Sequence, residues 1–385
     1  MANRIMLNQT SYHGAGAIEE IVNEAKAHAF QKAFVCSDPD LIKFGVTGKV
    51  TGLLDKEGLA YGVYSDIKAN PTIDNVKNGV AAFKASGADY IIAIGGGSSM
   101  DTSKAIGIII ANPEFEDVRS LEGVAPTKKP CVPIIAVPTT AGTAAEVTIN
   151  YVITDVERKR KFVCVDPHDM PIIAVVDPEM MSSMPKGLTA STGMDALTHA
   201  VEAYLCWTNN TAESIRLAEE AVIAIFKYLE RAYNNGSDME AREEMLKASF
   251  KAGFAFTRAG VGNVHAIAHT MGGIYGTPHG LANAVILPIV LEDYGEVVYK
   301  KLAHLAEISG VARTGSDEEK AKAFIAEIYA MNKRMGIPEG LHVEEKDIPQ
   351  MVEWALAEAN PTYPVPVLYD EARCAAVIRR INERA

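Results

Sequence analysis

The stretch ADYIIAIGGGSSMDTSKAIGIII, residues 88–110, contains a short apolar run, three glycines and a helix-like segment in immediate succession. The apolar run from Tyr90 to Ile94 predicts a buried strand, and the residues after Ser98 predict a helix. Glycines let a backbone approach an anion closely, and the N-terminus of a helix favours negative charge. The stretch therefore indicates a strand–turn–helix unit that could hold a phosphate, although three glycines can also serve only as a tight turn.

The same alternation of apolar runs and helix-like segments extends from the start of the chain to about residue 184. It predicts a largely parallel sheet covered by helices. Two other runs predict a hairpin, with the basic run at 157–161 as its solvated turn. The predicted parallel strands are the runs at 5–8, 32–38, 60–64, 90–94, 133–138 and 172–177, and the predicted hairpin strands are those at 149–155 and 160–166.

The composition changes after MPKGLTA, residues 184–190. From Ser191 onward the chain is rich in Ala, Glu, Leu and Lys at helical spacing, and strand-like runs are almost absent. We predict an α/β dinucleotide-binding domain with a mostly parallel sheet over 1–184. An all-helical metal-binding and catalytic domain should follow over 185–385, with the active site in the cleft between the two.

A group of acidic and imidazole side chains stands out in the second half. Asp195 and His199 are four residues apart in a helical pattern, as are His265 and His269, and His279 follows in a TPHG turn. A lone histidine is more often structural than metal-bound, but ligands cluster in the sequence while structural histidines scatter. Imidazoles with one carboxylate suit iron(II) or zinc in an open site that polarises a substrate oxygen.

Two further segments favour a bound nucleotide. Thr139, Thr140 and Thr143 lie in a small, hydroxyl-rich segment after the run at 133–138, as expected of a loop beside a pyrophosphate. Asp38 follows the run at 32–37, where a carboxylate can accept hydrogen bonds from a ribose diol and repel a 2′-phosphate. This position favours NAD over NADP, although Asp38 could instead cap a helix.

Composition excludes several classes of partner and predicts a compartment. The net charge of −12 argues against a nucleic-acid or anionic-membrane partner. The five cysteines are far apart and are typical of reduced thiols in a cytoplasmic protein. The N-terminus lacks a signal-peptide pattern, and no run of about eighteen apolar residues predicts a membrane span.

Taken together, these motifs closely resemble those of the iron-containing (group III) alcohol dehydrogenase family. The resemblance extends over essentially the whole chain, and two stretches, at 149–155 and 166–171, point to the branch of the family that reduces lactaldehyde. The segments that carry the resemblance are GGGSSMDTSKAIGI at 95–108, VPTTAGTAAEVTINYVITD at 137–155, RKFVCVDPHDMP at 160–171, TGMDALTHAVEAY at 192–204 and VHAIAHTMGGIYGTPHG at 264–280.

The resemblance implies a role for each matched residue. It places the iron on Asp195, His199, His265 and His279, and makes His269 a second histidine beside the nicotinamide. Asn150 and Phe256 match positions that line the substrate pocket. The positions that match contacts to NAD(H) are Asp38, Asn70, Gly96, Gly97, Ser98, Asp101, Thr139, Thr140, Thr143 and Lys161.

The implied reaction is metal-dependent reduction of a small aldehyde by NADH, with lactaldehyde and 1,2-propanediol as the expected pair. A 1,3-propanediol or general primary-alcohol dehydrogenase is the nearest alternative, because the segment EANPTYPVP at 358–366 differs from its counterpart in the lactaldehyde branch. A dehydroquinate-synthase-type lyase is a remote alternative, since only Lys251 and Arg258 offer cations near the histidines. The family also implies a homodimer, which the apolar residues Ile5 to Leu7 could join as an edge strand.

Overall fold

The computed structural model describes residues 4–385, which form two compact units, one up to Met184 and one from Pro185. The first unit contains a six-stranded parallel sheet in the order β1-β8-β5-β4-β2-β3 and an antiparallel hairpin of β6 and β7. Its strands are β1 Thr10–His13, β2 Lys32–Ser37, β3 Ala60–Tyr64, β4 Tyr90–Gly95, β5 Ile134–Pro138, β6 Asn150–Asp155, β7 Arg160–Val165 and β8 Ile173–Val176. Its helices are α1 Glu20–Ala27, α2 Pro39–Lys43, α3 Val46–Lys56, α4 Ile73–Ser86 and α5 Gly97–Ala111.

The sheet is covered by helices because its central strands are apolar on both faces. Every residue of β4, β5 and β8 is buried, as expected of strands in a parallel sheet. One face packs against α4 and α5, and the other packs against α1 and α3. This arrangement places the loops that follow β2, β4 and β5 at one edge of the sheet, where α/β proteins bind ligands.

The second unit is helical throughout its regular elements. The ends of its longer helices carry the expected signals: Thr211 and Ser316 form capping boxes, and Gly276 and Gly310 end helices in the left-handed conformation. Its helices are α6 Lys186–Leu205, α7 Ala212–Asn234, α8 Met239–Ala259, α9 Asn263–Tyr275, α10 His279–Tyr294, α11 Glu296–Ser309, α12 Asp317–Arg334, α13 Ile348–Ala359 and α14 Glu371–Glu383. The predicted fold class, a mostly parallel α/β sheet followed by an all-helical part, is confirmed.

Two local predictions in the first unit are wrong. The run at 5–8 forms no strand; β1 begins at Thr10, opposite Ile173, and the N–H of Ile172, which would extend this pairing toward residue 8, donates instead to the carbonyl oxygen of Ile134 in β5. The basic run is a turn only as far as Lys159, since β7 begins at Arg160, and Lys161 is buried. Among residues 4–385, no helix is both long and apolar enough to cross a membrane.

Candidate metal centre and nucleotide-binding loops

The structure brings Asp195, His199, His265 and His279 together. One ligand atom from each of the four residues lies within 4.8 Å of the corresponding atom of every other. Asp195 and His199 project from the same face of α6 because they are one turn apart, and the other two come from α9 and from the first residue of α10. Three separate helices therefore direct one carboxylate and three imidazoles at one point.

Two glycines permit this convergence. A Cβ on Gly280 would lie 2.5 Å from the carbonyl oxygen of Ser191, so α10 can approach α6 this closely only without a side chain there. Gly260 has φ +97°, a conformation that glycine adopts readily, in the turn between α8 and α9. Both glycines lie beside the segments that carry the proposed ligands.

Glu202 orients one of the imidazoles. Its Oε2 accepts a hydrogen bond of 2.5 Å from His265 Nδ1, and its Oε1 accepts one of 2.8 Å from the backbone N–H of Val264. Burial acts to lower the pKa of His265, but the charge and hydrogen bond of Glu202 outweigh it and raise that pKa. With its proton on Nδ1, His265 directs the lone pair of Nε2 into the cluster, as a metal ligand requires.

The aromatic rings in and beside this cluster stack on one another. His199 stacks on Phe256 at 4.3 Å between ring centroids and on His265 at 4.6 Å. Phe256, predicted to line the substrate pocket, thus contacts a proposed ligand directly. Stacking of this kind fixes ring orientation at little conformational cost.

His269 lies beside the cluster but outside it. Its ring stacks on His279 at 5.1 Å, while its Nδ1 donates a hydrogen bond of 2.7 Å to Glu358 Oε1. The Tyr363 hydroxyl donates to the same carboxylate oxygen at 2.7 Å. Glu358 thereby fixes the orientation of the His269 ring.

This set of donors fits iron(II) or zinc. A buried carboxylate and three imidazoles, without a thiolate, form the type of site that binds these ions and keeps a position open for an oxygen ligand. The carboxylate beside His265 is the usual support for such a ligand. The role of the four residues as iron ligands remains a proposal.

The glycine loop after β4 packs closely against the loop after β5. Gly96 caps α5 without a side chain, so the first N–H groups of the helix have no side-chain acceptor at the cap. A Cβ on Gly96 would lie 3.0 Å from Thr140 Oγ1, and one on Gly97 would lie 2.8 Å from Thr143 Cγ2. Thr139 joins the loops through a backbone hydrogen bond of 3.0 Å to Gly95. The two loops meet at a helix N-terminus that no side chain caps, an arrangement that suits a pyrophosphate.

Asp38 lies at the end of β2, where the sequence predicted it. Its Oδ1 accepts hydrogen bonds from the backbone N–H groups of Asp40 and Leu41, so it caps α2. The alternative that Asp38 caps a helix, which the sequence left open, is therefore confirmed. A carboxylate that caps with one oxygen can still accept from a ribose, and this role in NAD binding remains a proposal.

The remaining predicted cofactor residues lie on α5, on β7 and in the loop between β3 and α4. Lys161 donates a hydrogen bond of 2.6 Å to Asn70 Oδ1, and Asn70 has the unusual φ of 58°. Ser98 lies in the first turn of α5. Asp101, further along that helix, accepts from the backbone N–H of Val152 at 3.1 Å, and burial raises its pKa to about 7.

Asn150 is fixed through its backbone by a residue that the sequence did not indicate. The buried Lys104 ammonium donates to the carbonyl oxygens of Thr148 and Asn150, at 2.6 and 3.0 Å. Asn150 is the first residue of β6, so these hydrogen bonds hold the start of that strand against α5. No pattern in the sequence predicted this contact, because Lys104 resembles an ordinary helical lysine.

Both parts of the chain match profiles of one enzyme family. The profile described as iron-containing alcohol dehydrogenase matches residues 8–178, and that of the C-terminal part of the Fe-containing alcohol dehydrogenase family matches residues 189–381. The chain therefore belongs to the iron-containing alcohol dehydrogenase family, as the motifs predicted. It is an NAD-dependent oxidoreductase of alcohols and aldehydes, and the predicted cofactors NAD(H) and Fe²⁺ are those of this family.

Individual relatives agree with this assignment. Lactaldehyde reductase of Escherichia coli (strain K12) is 48% identical over 363 residues, which are 92% of this chain and 94% of the relative. A crystal structure of 1,3-propanediol oxidoreductase superposes with a TM-score of 0.93 at 37% identity, over 99% of this chain and 100% of that one. Sulfoacetaldehyde reductase from Bifidobacterium kashiwanohense, solved in complex with NAD⁺, gives a TM-score of 0.86 at 27% identity, with 100% of both chains covered.

The contact between the two loops yields a prediction for cofactor binding. We expect Gly97→Ala to raise the Kd for NADH about tenfold or more, because the new methyl group displaces Thr143 and blocks the approach of a phosphate. Fluorescence titration with NADH measures this Kd for each variant. The control is Gly52→Ala in α3, where a Cβ meets nothing within 4 Å. A Gly97→Ala protein with unchanged NADH affinity would show that the loop does not hold the cofactor.

Proposed function

We propose that this chain reduces lactaldehyde to 1,2-propanediol with NADH and catalyses the reverse oxidation. The observation that carries the proposal is the convergence of Asp195, His199, His265 and His279 in a chain that also has the glycine loop. The choice of substrate is supported by the 48% identity to lactaldehyde reductase. The second candidate is reduction of 3-hydroxypropionaldehyde to 1,3-propanediol. It is supported by the structural similarity to 1,3-propanediol oxidoreductase.

The chemistry requires two kinds of binding. An iron(II) ion on the four ligands would act as a Lewis acid toward the carbonyl oxygen of the substrate. The glycine and threonine loops bind the diphosphate of NAD(H), and Asp38, Asn70 and Lys161 are the proposed contacts to the rest of the nucleotide. Hydride transfer requires the nicotinamide to reach the substrate carbon, which is the chemical reason to propose an active site between the domains at 1–184 and 185–385.

His269 is the residue that we propose to move the proton. Its Nδ1 donates to Glu358, so Nε2 can exchange a proton with the oxygen of the substrate. Glu358 holds the ring of His269 in this orientation, and the hydroxyl of Tyr363 holds Glu358 by its own hydrogen bond. Phe256, against His199, and Asn150 are the proposed residues of the substrate pocket.

We also propose that the enzyme is a cytoplasmic homodimer. The sheet ends at β1, and Ile5 and Leu7, just before this edge strand, are 50% and 58% exposed. Exposed apolar residues beside a sheet edge favour pairing with another chain. Light scattering of the purified protein measures the subunit count directly.

The test is NADH oxidation by anaerobically iron-reconstituted protein with lactaldehyde, propionaldehyde and 3-hydroxypropionaldehyde at matched concentrations. We expect the highest kcat/KM with lactaldehyde and loss of all activity after chelation. A clear preference for 3-hydroxypropionaldehyde would instead establish the second candidate. Activity that survives complete removal of the metal would contradict the proposed mechanism for every substrate.

A further inference from the structure

Asn283 contacts three of the four proposed iron ligands. It lies one turn after His279 on α10 and is 0% exposed. Its Nδ2 lies 2.7 Å from Asp195 Oδ1 and 3.1 Å from both His265 Nε2 and His279 Nε2. One amide therefore connects side chains from α6, α9 and α10.

The direction of this amide follows from its neighbours. The Asp195 carboxylate can only accept, and His265 Nε2 carries a lone pair because Nδ1 donates to Glu202. The amide nitrogen of Asn283 must face these atoms, and its Oδ1 is buried without a hydrogen-bond partner among residues 4–385. A buried amide oxygen without a hydrogen bond destabilises the folded protein, so this orientation of Asn283 is explained by its contacts to the proposed ligands rather than by stability.

We propose that Asn283 is a positioning residue of the metal site, an inference that rests on the proposed function. An NH₂ group has two hydrogens and cannot serve three acceptors at once. An imidazole lone pair that binds a cation can no longer accept a hydrogen bond. The amide therefore aligns the two imidazoles for the metal, and it retains its shortest contact, to Asp195, when the metal is bound.

The test compares metal binding in two variants that each lose one buried asparagine. Asn283→Ala should raise the Kd for Fe²⁺ and Zn²⁺ about 10- to 100-fold, the usual effect of losing a residue that orients a ligand. The Kd is measured anaerobically by competition with a chelator of known affinity. In addition, the metal should raise the Tm of the variant less than that of the unchanged chain.

Asn332→Ala is the matched control. Asn332 is 4% exposed, its Nδ2 donates to the Ala284 carbonyl oxygen of α10 at 2.7 Å, and its Oδ1 also lacks a partner among the described residues. This variant should lower the Tm of the protein without metal but leave the Kd for metal within about twofold. A general loss of packing around α10 would instead raise the Kd in both variants and overturn the proposal.

Asn283→Leu distinguishes the loss of the side-chain N–H donor from the loss of side-chain volume. Leucine fills the space of asparagine but has no side-chain N–H. It should weaken metal binding as Asn283→Ala does, which also keeps the proposal testable if the alanine variant does not fold. Unchanged metal affinity in either folded variant would overturn the inference while the proposed function stands. Failure of the unchanged chain to bind iron or zinc would instead overturn the proposed function itself.

Discussion

His265→Ala should lose its iron and its turnover together. The change removes one of the four proposed ligands and leaves the buried Glu202 carboxylate without its imidazole partner. A metal that polarises a carbonyl is worth several kcal/mol, so we expect kcat to fall about a thousandfold or more. Elemental analysis of the purified variant measures metal content, and NADH oxidation measures turnover.

Two other histidine variants serve as comparisons for the metal content and kcat of His265→Ala. His304→Ala removes a half-exposed histidine that pairs with Glu219 on the surface, and both metal content and kcat should remain unchanged. His269→Ala should keep the metal and lose turnover, because His269 lies outside the cluster of four. A His265→Ala protein with full metal content and normal kcat would show that His265 is not a ligand.

Gly280→Ala should weaken metal binding although it changes no ligand. The new methyl group would lie 2.5 Å from the carbonyl oxygen of Ser191 and 3.4 Å from Asp195 Cβ. Since backbone cannot yield as a side chain can, α10 must move away from α6 and carry His279 from Asp195. We expect the Kd for metal to rise about tenfold or more and the free energy of unfolding to fall by about 1–3 kcal/mol.

Gly187→Ala is the matched control for this change. Gly187 is the second residue of α6, as Gly280 is of α10, but a Cβ there meets nothing within 4 Å. This control should bind metal normally and gain slightly in stability, because alanine favours a helix more than glycine does. Chelator competition measures the Kd for metal of both variants, and thermal unfolding measures their stability. Equal metal affinity in the two variants would contradict the steric argument.

The sequence predicted those parts of the site that depend on local spacing. The pair Asp195 and His199 is recognisable because residues four apart share a helix face. Glu202, three residues after His199 on the same buried helix, could have been included by the same rule. Asn283, four residues after His279, is a second residue that spacing could have indicated.

Other contacts could not be predicted because they join segments far apart in the sequence. Glu358 reaches His269 from α13, and only the packing of two distant helices brings them together. The contact between Lys104 and the start of β6 is of the same kind. The strand predicted at 5–8 is absent for a related reason, since the N–H of Ile172 that would pair with it donates to Ile134 of β5, a contact between segments far apart in the sequence.

The two oxygens of Glu202 have a consequence for the lifetime of the enzyme in a cell. One oxygen binds the backbone at the start of α9, and the other binds the ring of His265. An ion bound by this ring would therefore also stabilise the first turn of α9, next to Gly260 and Gly262. When iron is scarce, this turn should open more often to proteases, so the abundance of the enzyme would follow the supply of its metal.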